Sequence, residues 1–114
     1  MSTHAALPSP TDFTVRKLAV DLSQGFSRHW NGGDAFMTAY ANALSMSFPV
    51  GEQYFMDSVR AGLKMLPPED QQRLAPEVQG FVGQEATHRR IHALFNGHLD
   101  QQGLANEWAP RAQE

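Results

Sequence analysis

Glu85, His88 and His92 stand three and four residues apart in the run FVGQEATHRRIHALFN. At about 100° per residue, a helix would gather all three within roughly 60° of one another. A carboxylate and two imidazoles aimed at one point are the ligand types that divalent transition metals prefer. Their surroundings sharpen the reading. Val78, Phe81, Phe95 and Leu99 continue the same stepping of three and four, as an inward-facing helical seam does. An ionised carboxylate in such a seam is very costly without a cation or a proton beside it.

A second seam repeats the oddity upstream. Leu44, Phe48, Glu52, Phe55 and Val59 share one helical face, and Glu52 is its only ionisable member. Two such helices bring two carboxylates and one or two imidazoles together. A Glu from one helix and a Glu-x-x-His from another make half of the di-metal carboxylate site found in helical bundles. No other Glu-x-x-His occurs in the chain, so half a site is what the residues spell out. The bland alternative is a helix turned slightly, with these residues along a solvated edge beside Arg89 and Arg90. Metal use is the preferred reading, with Glu52, Glu85 and His88 as ligands and His92 as a further ligand or proton carrier.

The remaining candidates weigh less. His29, beside Trp30, reads as a packing histidine more readily than as a ligand. His98 falls off the seam and reads as solvated; His4 carries nothing. Asp57 points away from Glu52 and reads as a surface charge. No G-x-S-x-G elbow, phosphate-binding glycine loop, dinucleotide fingerprint or His-Glu-x-x-His is present.

The elements that must position these groups are helical. Asp34 is a good N-cap, and the spacing predicts a helix over 34–66, kinked or divided at Pro49. Pro67-Pro68 ends it, and a short turn leads to a second helix that starts at Pro76 and runs to 101, closed by Gly103. Phe13 to Trp30 alternates irregularly and reads as an extended segment wrapping the helices. The expected organisation is a disordered arm over 1–11, a single helical domain over 12–104 and a tail over 105–114. The fold class is all-α: two to three helices forming half of a four-helix bundle.

Composition sets outer limits. The chain has 114 residues, 41% hydrophobic and 18% charged, which suits one small globular domain. A net charge of -3 argues against a dedicated nucleic-acid binder. The chain has no Cys, which excludes disulfides, thiolate metal sites and cysteine nucleophiles. No run approaches the roughly 18 apolar residues of a membrane span. The N-terminus has no signal-peptide pattern, and the expected compartment is the cytoplasm.

The runs VRKLAVDLSQGFSRHW, GGDAFMTAYANALSMSFPVGEQYF and FVGQEATHRRIHALFN together resemble the bacterial family of predicted metal-dependent hydrolases. The similarity extends from Phe13 to Leu104. It implies a ferritin-like helical fold and carries metal binding onto Glu52, Glu85, His88 and, less directly, His92. Members of that family continue into a second helical half with further ligands. The resemblance therefore implies a truncated or short member, completed by a second copy if it is to hold a full site.

Three functions follow as expectations. The first is a metal-dependent hydrolase acting on an unknown small-molecule substrate, with iron, zinc or manganese activating water. The second is a non-catalytic helical interaction module or remnant. The third is di-iron oxygen chemistry, which a carboxylate-rich site also permits. The expected assembly is a homodimer completing the bundle; the rival is a monomer whose segment 13–30 folds over the seam.

Overall fold

A computed structural model describes residues 14–113. The arm expected over 1–11 lies outside them. Three helices follow in order: α1 Ala35–Lys64, α2 Pro68–Gln101 and α3 Trp108–Ala112. No strand occurs among the described residues, and the class is all-α, as expected.

α1 starts where the sequence signals it. Gly32 and Gly33 take positive φ of 63° and 79°, which suits glycine, and turn the chain into the helix. Asp34 then caps it, its carboxylate accepting from the Met37 amide at 2.8 Å. Pro49 neither ends nor divides α1. A proline has no N–H to return to the carbonyl four residues back, so the Ser45 carbonyl is freed. That carbonyl accepts instead from Asn96 Nδ2 of α2 at 3.1 Å. A helix passes through a proline most easily where a neighbour takes over the orphaned acceptor.

The connection between the long helices is three residues, Met65 to Pro67, which forces them antiparallel. Here the start expected at Pro76 is corrected. α2 begins at Pro68, where a proline at the first helical position costs nothing, and runs through Pro76. Pro76 lies on the exposed side, where water can solvate the carbonyl it frees. α2 closes at Gln102, and Gly103 supplies the left-handed residue at φ 82°. The stretch 105–114, expected as a tail, contains α3, and Asn106 donates to the Met46 carbonyl at 2.9 Å beside the Pro49 turn.

Residues 14–30 run extended along α2. The Arg16 amide donates to Gln84 Oε1 at 2.7 Å, and Gln84 Nε2 returns a bond to the Arg16 carbonyl at 3.2 Å. Further along, His98 Nε2 donates to the Leu22 carbonyl at 2.6 Å and Gln102 Nε2 to the Phe26 carbonyl at 2.9 Å. His98 is thus an anchor for the segment and not a solvated residue. Phe26 stacks on Phe95, and Trp30 Nε1 donates to Asn42 Oδ1 at 2.8 Å.

The face that α1 turns toward α2 is not the expected one. Its buried residues are Thr38, Asn42, Ser45, Glu52 and Met56, whereas Leu44 and Phe55 are 45% and 50% exposed. Periodicity finds the most apolar stripe; here α2 packs on the polar one, because its partners are polar as well. The body that results is long, 62 × 32 × 25 Å. Its radius of gyration is 18.9 Å, against about 13 Å for a compact domain of roughly 100 residues.

Candidate metal centre

Glu52, His88 and His92 converge midway along the helix pair. Each offers one ligand atom, and these atoms lie within 4.8 Å of one another. Glu52 comes from the turn after Pro49, and the histidines from successive turns of α2, so a single helix–helix contact assembles all three.

Glu52 is the anomaly at the centre. It is 1% exposed, and neither carboxylate oxygen has a hydrogen-bond partner. His88 Nδ1 approaches Oε1 to 2.7 Å, an ion pair when the ring is protonated, without the alignment of a hydrogen bond. Burial pushes the carboxyl above its ordinary range. His88 pulls it back, Glu85 raises it again, and Arg89 lowers it.

A hydrogen-bond chain dictates what the histidines present. Ser45 Oγ donates its one proton to Asn96 Oδ1 at 2.8 Å. It must then accept from His92 Nδ1, also at 2.8 Å, which leaves Nε2 of the neutral His92 ring as a lone pair. That Nε2 faces His88 Nε2 at 3.0 Å. If His88 Nε2 carries the proton of that bond, a neutral His88 ring turns the Nδ1 lone pair toward the Glu52 carboxylate. If it does not, two nitrogen lone pairs face each other. In both neutral forms electron-rich atoms meet at close range; a second proton on His88 relieves this, and so does a divalent cation among the three ligand atoms. Burial and the neighbouring His88 both lower the pKa of His92, which favours the unprotonated ring that a metal takes. The donor set therefore fits a divalent cation.

Ser45 and Asn96 act on His92 as a second layer that orients a ligand. Asn96 grips Ser45 twice, through its hydroxyl and through the carbonyl freed by Pro49. Neither residue stood out in the sequence. The available signal was Asn96 one turn beyond His92, and a serine directly before the proline turn. Phe48 packs on both imidazoles, with ring centroids 5.7 and 4.5 Å away.

The other expected site residue, Glu85, stands beside the group of three. Its Oε2 is 4.0 Å from His88 Nδ1, and its side chain is 19% exposed. His88 is the open member, with a side chain 48% exposed. Two clefts reach the centre. One of about 370 Å³ meets His88 and is lined by Arg16, Lys17, Gln84 and Thr87. The other, about 320 Å³, meets His92 and is almost wholly apolar. Asp57 is exposed and pairs with Arg60, and Arg89 Nε donates to the Pro49 carbonyl at 3.3 Å. His29 is exposed and lies outside the group. No described helix is long and apolar enough to cross a membrane.

No match was found among curated proteins or solved structures. A family model described as predicted metal-dependent hydrolase does match, over residues 14–114. With its buried carboxylate and paired imidazoles on two antiparallel helices, the chain belongs to the family of predicted metal-dependent hydrolases.

Proposed function

We propose that this chain is a metal-dependent hydrolase in which Glu52, His88 and His92 hold one divalent ion. The observation that carries the reading is Glu52, a buried carboxylate whose two oxygens lack hydrogen bonds, facing two imidazoles. One carboxylate and two histidines are a ligand set of catalytic zinc centres, which keep a further position open for water. Bound there, the metal would lower the pKa of that water and make hydroxide available near neutral pH.

The chain's own groups divide the remaining work. Ser45 and Asn96 hold His92 with Nε2 directed at the centre. Glu85, adjacent but outside the group of three, is the proton acceptor: its Oε2 takes the proton that water loses and returns it to the leaving group. Arg16 and Lys17 line the cleft at His88 and favour a substrate with a negative charge near the reacting bond.

The experiment is metal content and thermal melting of the full chain, with zinc, manganese or iron(II) each added alone. The expected result is about one ion per chain. A metal at a hundredfold its dissociation constant adds about 2.7 kcal/mol and raises the melting temperature by several degrees. Glu52→Gln and His88→Ala should each remove the shift. A chain that takes up none of the three metals overturns the reading.

A further inference from the structure

Asn42 is buried in α1 with one end of its side-chain amide unpartnered. It is 6% exposed, and its Oδ1 accepts from Trp30 Nε1 at 2.8 Å. An indole N–H can only donate, so this bond fixes which end of the amide is which. Trp30 lines the apolar cleft at His92, whereas Asn42 lines a different cavity of about 320 Å³. Nδ2 is therefore the end turned to that cavity, and no acceptor among the described residues takes its N–H groups.

The rest of the cavity says what this donor can serve. Ala35, Ala39 and Ala43 recur every fourth residue along α1 and leave room above its backbone, and Met46 and Leu104 add apolar walls. Arg28 and His29 line it as well, both exposed. Among the described residues neither pairs with a carboxylate, and no Asp or Glu lines the cavity. Ala43, Met46 and Ala105 also belong to a neighbouring cavity of about 340 Å³ that reaches Trp108, so the apolar floor is elongated.

We infer that this groove binds a linear aliphatic monocarboxylate, its carboxylate between Arg28 and Asn42 Nδ2 and its chain along Ala39, Ala43 and Met46. A purely apolar cover would strand the Asn42 donor, a costly outcome for a buried polar group. A carboxylate accepts from that donor and from the guanidinium together. A bare inorganic anion would leave the alanine floor in water, whereas an alkyl chain dries it. The site shares no residue with the metal centre and needs no metal, so it stands or falls separately from the hydrolase reading.

The probe is sodium octanoate, titrated into the full metal-free chain and followed by nitrogen-edited proton NMR. The Asn42 side-chain amide pair and the Ala39 and Ala43 backbone amides should shift together and saturate. Arg28→Ala, on an exposed segment, should weaken binding about 10-fold. Ala39→Leu places a good helix former at an exposed position and fills the groove, so binding should vanish with helicity retained. Octanol has the chain without the charge, and inorganic phosphate the charge without the chain. Each should bind at least about 10-fold more weakly than octanoate. If Ala39→Leu loses helicity instead, Arg28→Ala and the two partial probes decide. An unshifted Asn42 amide, shifts confined to the cleft at Phe48, or equal binding by Arg28→Ala, octanol or phosphate overturns the inference.

Discussion

Glu52 couples the stability of the metal-free chain to pH. Burial raises its folded-state pKa above the ordinary value of 4.5. A raised carboxyl contributes stability that is complete below the unfolded value and is lost as pH rises through the folded one. Above the ordinary carboxyl range the metal-free protein therefore carries a cost at Glu52 that acid relieves. Glu52→Gln should stabilise the metal-free chain at pH 7, with the gain fading below the ordinary carboxyl range. Denaturant unfolding at several pH values measures this. A destabilised Glu52→Gln at neutral pH would show that the carboxylate is paired in the metal-free state. Glu85 calls for a different pattern. Glu85→Gln should keep the metal, whereas Ser45→Ala should keep Glu52 and His88 in place and weaken metal affinity about 10- to 100-fold, as losing a ligand's orienting partner does. Calorimetric titration with zinc separates these cases: a Glu85→Gln chain that no longer binds would make Glu85 a ligand.

Each element is held by contacts that its own pattern does not announce. The extended segment 14–30 has no internal ladder and depends on what it borrows from α2. A Cβ added at Gly83 would sit 2.9 Å from Val15 Cγ2, a distance real structures do not tolerate, so the segment passes where a glycine makes room. Gly83→Ala should strengthen α2 by up to about 1 kcal/mol while pushing Val15 away. The Arg16–Gln84 pair would open with it. Limited trypsin digestion should then cut faster after Arg16 and Lys17 than in the parent chain; equal rates would mean Val15 adjusts in place. His98→Ala should free the Leu22 carbonyl and cost about 1 kcal/mol, with metal binding unchanged because His98 is remote from the three ligand residues. Calorimetric titration and melting on the same variant check both halves.

At the scale of the whole molecule, the buried apolar core is small. Among the described residues only Met56 and Leu99 are hydrophobic and buried. A helix pair of this kind draws much of its stability from what binds it. Metal binding should therefore raise the melting temperature, and its increment should persist in His98→Ala at a lower baseline. Melting the two chains with and without zinc tests this. Loss of the metal shift in His98→Ala would mean that the centre depends on the docked segment 14–30.

The helices and their metal-ligand candidates were legible because both depend on near neighbours. Capping by Asp34, the break at Pro67-Pro68 and the Glu85–His88–His92 spacing are set by interactions within a turn or two. Glu52 was legible as well, since an ionisable residue interrupting an apolar stripe is conspicuous whatever packs on it. The face of α1 that meets α2 was not legible. Hydrophobic periodicity locates the stripe that avoids water, and α1 has two stripes, of which the polar one wins the first partner through Ser45, Asn96, Glu52 and His88. The roles of Pro49 and His98 were hidden for the same reason. A freed carbonyl at Ser45 has meaning only once Asn96, 51 residues away, is in reach. A histidine off the seam becomes an anchor only when an extended segment lies beside it. Separation along the chain conceals such pairs, and the packing of α1, α2 and segment 14–30 alone decides them.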